Sequence, residues 1–189
     1  MVKYGFRLSE NGEYCTGLLS SIYDIERKIP FNYELSNGHE GERVVLIRQL
    51  KYLKEGDTLI MDKGYYSLEL LKELKERKIN YIFRMKKSST HVKQDKNDYL
   101  VNVKVGEKEK IQTRIIKYKI ENGKKVKDYF LLTSHFDIPF NDFKDLYWGR
   151  WKIETHFRKI KYDILYNSIR SEKLNTVLRS NVALRQKLI

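Results

Sequence analysis

The chain has 189 residues, of which 41% are hydrophobic and 33% charged, and its formal net charge is +13. This composition excludes a disordered tail, and no apolar run approaches the roughly 20 residues that a membrane helix needs. The single cysteine, Cys15, excludes an internal disulfide and a zinc site built from several cysteines. We therefore expect a protein of the bacterial cytoplasm.

The positive charge is concentrated in the second half of the chain. Residues 1–83 hold 13 basic and 13 acidic side chains, whereas residues 84–127 hold 14 basic and 5 acidic ones. A localised basic excess is typical of a protein that binds a polyanion. Lysines on solvated faces explain the same composition equally well, so charge alone leaves both interpretations open.

The first half of the chain predicts strands followed by a strand–helix–strand unit. β-rich runs occupy 4–8, 14–20 and 21–25, with a hairpin turn at Asn11-Gly12. Apolar spacing then predicts a helix over 42–53, a buried strand over 58–61, a helix capped by Ser67 and a strand over 79–84. The buried strand ends at Asp62, the position where α/β sheets place polar site residues.

The second half begins with a change to β-type alternation, in the runs 99–105, 112–120 and 127–133. These runs predict a small, basic, antiparallel insertion over 90–136. One long helix is expected from Asn141 to about residue 165, and a further amphipathic helix over 174–189.

The predicted long helix carries Tyr147, Arg150, Glu154 and Lys161 within an arc of roughly 60°. The carboxylate could ligate a hard cation such as Mg²⁺, and the Tyr, Arg and Lys side chains could hold phosphate oxygens. An ordinary solvated face is the alternative, since Arg150 and Glu154 are also spaced as an intrahelical ion pair. Spacing alone favours the solvated face slightly.

The pattern Tyr-x2-Arg-x3-Glu-x6-Lys, formed by these four residues, resembles the signature helix of the IS-four family of DDE transposases. The segment 56–67 resembles the family strand that carries the second catalytic Asp, here Asp62, followed by Lys63-Gly64-Tyr65. The run 81–86 resembles the next strand. The similarity covers most of the chain.

The resemblance implies an α/β fold of RNase H-like type, a mixed sheet flanked by helices. The catalytic core would occupy 1–89 and 137–189, with the β-rich insertion at 90–136. It implies that Asp62 and Glu154 are catalytic residues that ligate Mg²⁺ or Mn²⁺ in a two-metal site. DNA contacts are expected from residues of the signature helix and of the basic run that starts at residue 84: Tyr147, Arg150, Lys161, Arg84 and Lys86.

The implied activity is cut-and-paste transposition of an insertion sequence by metal-dependent phosphoryl transfer. The implied partner is double-stranded DNA, both transposon ends and target, with the protein as a homodimer or mixed with an intact transposase at the nucleoid. Aromatic residues of the insertion, Tyr99, Tyr118, Tyr129 and Phe130, are candidates for stacking on a flipped base.

The family's first catalytic Asp would lie before Tyr14, where this chain has none. Asp24 resembles a turn aspartate of the family instead. We therefore expect an N-terminally truncated copy that is weakly active or inactive. The alternatives are a non-catalytic DNA-binding remnant of a transposase and another RNase H-like nuclease, such as a resolvase.

Overall fold

The computed structural model describes residues 7–8, 15–37, 39–122, 125–150, 155 and 178–186. The chain forms two compact units. The first comprises Met1–Tyr52 and Trp151–Ala183, and the second comprises Leu53–Arg150 and Leu184–Ile189.

The first unit contains an antiparallel arrangement of β1 (Arg7–Leu8), β2 (Cys15–Asp24) and β3 (Ile29–Asn37), in which β2 pairs with both of the others. The two runs predicted over 14–25 therefore form one strand, and β3 is a strand that the sequence did not predict. Helix α1 (Glu42–Gln49) follows and continues into a 3-10 turn, Leu50–Tyr52.

A buried hydrogen bond fastens α1 to β2 in this unit. The Ser20 hydroxyl donates to Gln49 Oε1 over 2.9 Å, and the Gln49 side chain is fully buried. A buried amide needs such a partner because its desolvation is otherwise uncompensated.

The second unit begins with a parallel strand–helix–strand motif, as predicted. Strand β4 (Thr58–Met61) is buried throughout, and it pairs in parallel with β5 (Asn80–Met85). Helix α2 (Leu68–Glu76) connects them. Its N-cap is Ser67, whose hydroxyl accepts a hydrogen bond from the Leu70 amide at 3.2 Å, and its predicted stripe of buried leucines is confirmed: Leu70, Leu71 and Leu74.

Three antiparallel strands extend this sheet: β6 (Asp98–Lys104), β7 (Lys110–Asn122) and β8 (Lys125–Thr133). Strand β8 also pairs antiparallel with β5, so β6–β8 belong to the same sheet as β4 and β5. The antiparallel prediction for 90–136 is therefore confirmed. The division into domains at 1–89, 90–136 and 137–189 stays a prediction.

The C-terminal elements differ from the sequence prediction in two ways. Helix α3 (Asp142–Trp148) has its C-cap at Gly149, and Arg150 lies in the turn that follows. Of the rest of the long helix predicted from Asn141 to about residue 165, only residue 155 is described, and it is helical. The amphipathic helix expected over 174–189 is wrong, because Leu178–Gln186 forms strand β9.

The reason for the second error is a non-local pairing. Residues 184–186 of β9 pair antiparallel with Thr58–Ile60 of β4, which gives β4 hydrogen-bond partners on the edge opposite β5. A buried strand must satisfy both edges, and this requirement overrides local helical spacing. The chain is thus mixed α/β, with a mixed sheet flanked by helices, and none of the described helices is long and apolar enough to cross a membrane.

Candidate functional site

The centre of the candidate site is Asp62, immediately after β4. Its backbone carbonyl accepts a hydrogen bond from the Tyr65 amide at 3.0 Å, which forms the turn toward α2. Strands β4 and β5 are parallel, and Met61 pairs with Phe83. The next residues along the two strands, Asp62 and Arg84, therefore lie side by side at the same end of the sheet. The Arg84 guanidinium (Nη1) lies 3.4 Å from the Asp62 carboxylate (Oδ1), and both side chains remain partly exposed.

Helix α3 brings Tyr147 to the same carboxylate. The buried Tyr147 hydroxyl donates to Asp62 Oδ1 over 3.3 Å, although the two residues are 85 positions apart. Arg150 is also buried, and its guanidinium carbon lies 5.5 Å from the centre of the Tyr147 ring. The structure therefore brings together four of the predicted site residues: Asp62, Arg84, Tyr147 and Arg150.

The electrostatics of this group keep Asp62 ionised. Burial by itself would raise the pKa of the Asp62 carboxyl, but it is outweighed by the Lys63 amide, the charges of Arg150 and Arg84, and the Tyr147 hydroxyl. The net effect is a pKa below the usual Asp value. Tyr147 stays a neutral hydrogen-bond donor, because burial raises its pKa despite the opposing charges of the two arginines.

The segment between β8 and α3 is held in place by Arg114. This buried guanidinium donates to the carbonyl oxygens of Ile138 at 2.7 Å and Phe136 at 3.4 Å. It also makes two hydrogen bonds to the Asp98 carboxylate, at 2.8 and 2.6 Å, and lies 5.3 Å from the ring centre of Phe143 in α3. Arg114 thus helps to fix the position of the start of α3, the helix that carries Tyr147.

Arg84 also contacts Tyr129, which is one of a stacked pair of tyrosines. The register of β7 and β8 places Tyr118 directly opposite Tyr129, and their rings stack at 5.6 Å with an interplanar angle of 20°. The Arg84 guanidinium carbon lies 4.5 Å from the Tyr129 ring centre. From the sequence these tyrosines are expected only as surfaces for base stacking, because the strand register that links them to Arg84 is not visible locally.

A surface cleft of about 570 Å³ opens beside Arg84. Its lining includes four basic residues and one acidic residue: Lys63, Arg84, Lys86, Lys87 and Asp128. Lys86, predicted as a DNA contact, therefore lines the cleft. Such a basic excess attracts a polyanion.

Other predicted residues are accounted for as follows. Glu154 and Lys161 lie outside the described residues. Asp24 has its Oδ1 atom engaged by the Glu26 and Arg27 amides, at 3.0 and 2.9 Å, as expected of a turn aspartate. Asp62, ionised and partly exposed, fits the role of one hard oxygen ligand for a divalent cation. Within the described part of the chain, His, Cys, Asp and Glu form no group of three that could hold a metal.

Two known proteins with sequences similar to this chain are transposases of insertion sequences. The transposase for insertion sequence element IS231F of Bacillus thuringiensis subsp. israelensis is 32% identical over 81 residues, which cover 42% of this chain and 17% of that protein. The transposase for insertion sequence element IS231E of Bacillus thuringiensis subsp. finitimus is 30% identical over 101 residues, 53% of this chain and 20% of that protein.

The chain thus matches at most a fifth of the length of these two relatives. No solved structure matches it. The family profile described as "Transposase DDE domain" matches residues 3–184, nearly the whole sequence. The chain therefore belongs to the family of DDE transposase domains.

Proposed function

We propose that this protein is a DDE transposase domain that acts on the double-stranded DNA of an insertion sequence. The reaction would be cut-and-paste transposition by metal-dependent phosphoryl transfer, on an RNase H-like sheet. The observation that carries the proposal is the ionised Asp62 at a strand end, surrounded by Arg84, Tyr147 and Arg150. Family membership and two transposase relatives support it.

In this proposal Asp62 and Glu154 hold Mg²⁺ or Mn²⁺. The bound metal would supply Lewis-acid stabilisation of the charge that develops on the phosphate oxygens. The chain's own contribution begins with keeping Asp62 anionic at neutral pH, which the lowered pKa achieves. Two carboxylates offset only part of the charge of two dications, so we expect the chain by itself to be weakly active or inactive.

The two arginines would bind the phosphate that reacts, and Tyr147 would help to position it. Arg84 and Arg150 both lie near enough to Asp62 to lower its pKa, and their guanidinium groups would donate charge-assisted hydrogen bonds to the oxygens of a phosphodiester. The Tyr147 hydroxyl, a neutral donor, fixes the orientation of Asp62 through its hydrogen bond. Lys161 would extend the same contacts along the DNA.

The cleft lined by Lys63, Lys86 and Lys87 would carry the DNA backbone away from the reacting phosphate. Contacts of this kind position DNA without reading its sequence. We further propose that the protein works at the nucleoid, as a homodimer or in a mixed complex with an intact transposase.

The test is a nicking assay with the full chain and a supercoiled plasmid that carries an insertion-sequence end, in Mg²⁺ or Mn²⁺. We expect slow conversion to the nicked form, which Asp62→Asn abolishes. The matched control is Asp95→Asn, because Asp95 is an exposed carboxylate in a loop. Nicking that persists in Asp62→Asn, or that is lost equally in Asp95→Asn, would overturn the catalytic proposal.

A non-catalytic DNA-binding remnant is the second candidate. It is favoured by the basic cleft, which needs no catalytic carboxylate to bind DNA. DNA binding that weakens steeply with salt, together with no nicking in either metal, would select it. Absence of DNA binding would refute both candidates.

A further inference from the structure

The buried hydroxyl of Tyr118 is not explained by the fold. Tyr118 is 8% exposed, and within the described part of the chain its hydroxyl oxygen has no hydrogen-bond partner. A buried hydroxyl without a partner costs free energy, and a phenylalanine at this position would avoid that cost. An unsatisfied buried donor therefore requires a specific reason.

The surroundings of this hydroxyl are those of the candidate site. Burial raises the pKa of Tyr118, while the charges of Arg84 and Arg150 lower it. The same two arginines also lower the pKa of Asp62, so the phenol and the carboxylate share one electrostatic environment. The neighbouring groups that act on Tyr118 include the Tyr147 hydroxyl, which donates to Asp62.

Strand register fixes the ring of Tyr118 rigidly. Its cross-strand partner Tyr129 stacks on it at 5.6 Å and holds the Arg84 guanidinium carbon 4.5 Å from its own ring centre. A hydroxyl on a fixed ring loses little conformational freedom when it binds a ligand. The donor is therefore held on a packed ring in a region where the charges of two arginines act on it, and such preorganisation favours binding of an anionic oxygen.

We propose that Tyr118 is a further DNA-binding residue, whose hydroxyl donates a hydrogen bond to a phosphate oxygen held by Arg84 and Arg150. The proposal rests on the proposed DNA-binding function of the same site and adds one residue to it. It differs from base stacking, because the contact is made by the hydroxyl and not by the ring face.

The test compares Tyr118→Phe with Tyr66→Phe in the full chain. Tyr66 is the matched control because its hydroxyl is also buried without a partner among the described residues, and burial alone raises its pKa. The probe is a fluorescein-labelled 20-base-pair duplex, with affinity measured by anisotropy at two salt concentrations. We expect Tyr118→Phe to bind about tenfold more weakly than the wild type, a loss typical of a hydrogen bond to a charged group. Tyr66→Phe should bind like the wild type.

A second measurement identifies the acceptor. Single neutral methylphosphonate substitutions are scanned along the duplex. At one position, the substitution should weaken the wild type more than it weakens Tyr118→Phe, because the variant keeps the contacts of Arg84 and Arg150 with that phosphate but no longer makes the hydroxyl contact. Thermal unfolding should show Tyr118→Phe to be as stable as the wild type or more so.

The outcomes separate the two levels of the proposal. Equal binding by Tyr118→Phe and the wild type, or equal weakening by Tyr118→Phe and Tyr66→Phe, would overturn the role of Tyr118 and leave DNA binding intact. The role of Tyr118 would also be overturned if, at every position of the duplex, the loss of affinity caused by the methylphosphonate simply added to the loss caused by Tyr118→Phe. Absence of binding by the wild type would overturn the proposed function itself.

Discussion

Replacement of Arg114 by alanine should destabilise the protein far more than an ordinary surface change. Arg114 is 9% exposed and donates to Asp98 and to the carbonyl oxygens that precede α3. Removal of one partner of a buried ion pair costs about 3–5 kcal/mol. The Asp98 side chain is 36% exposed, so water compensates for part of the loss and about 3 kcal/mol is expected.

The assay is thermal unfolding followed by circular dichroism. For a chain of this size, about 3 kcal/mol lowers the melting temperature by roughly 6–12 °C. Arg77→Ala is the control, because Arg77 makes an exposed ion pair with Glu73, one turn away in α2, that is worth about 0.3–0.5 kcal/mol. A melting temperature for Arg114→Ala within 2 °C of that for Arg77→Ala would refute this reasoning.

Two further predictions concern titrating groups. Arg84→Gln should raise the pKa of Asp62, because it removes one of the positive charges that lower this pKa. Ionised Asp62 stabilises the fold above the unfolded-state pKa, and this contribution is lost as the pH falls through the folded-state pKa. In the variant the same contribution should therefore be lost at a higher pH. Carbon-13 NMR titration measures this pKa, and an unchanged value would contradict the assignment. Burial lowers the pKa of His135 below 6.5, although the charge of Asp137 acts in the opposite direction. Unfolding therefore takes up a proton on His135, and the free energy of unfolding falls as the pH drops below about 6.5. His135→Gln should lose less melting temperature between pH 7.5 and 5.5 than the wild type, and equal losses would contradict the argument.

Local signals were enough to predict the strand–helix–strand unit. An unbroken apolar run defines β4, and Ser67 with the leucine stripe defines α2. Strand β3 was missed although its alternating residues carried a signal: Ile29, Phe31, Tyr33 and Leu35. These four apolar side chains are exposed, whereas alternating apolar residues in a strand usually form its buried face. Strand β9 could not be predicted from spacing, because its partner β4 lies more than 120 residues away.

The candidate site was predictable to a similar degree. Asp62 was found from its place at a strand end, and Tyr147 and Arg150 from their spacing. That spacing places both side chains on one face only if the helix is continuous, whereas Arg150 lies in the turn after the C-cap of α3 at Gly149. Tyr118 and Tyr129 reach the site through cross-strand pairing, and a one-residue slip of that register would turn their side chains to the other face of the sheet.

In the proposed function, Arg84 would allow one site to keep a carboxylate ionised and still bind an anion. Among the described residues its guanidinium donates to Asp62 alone, through Nη1 and at the long distance of 3.4 Å. Its guanidinium carbon lies over the Tyr129 ring, 4.5 Å from the ring centre, a cation–π contact that uses no N–H donor. The other donors of the planar fork can therefore bind phosphate while Nη1 still faces Asp62, which a lysine at this position could not do, because its ammonium is a point charge without a fixed plane.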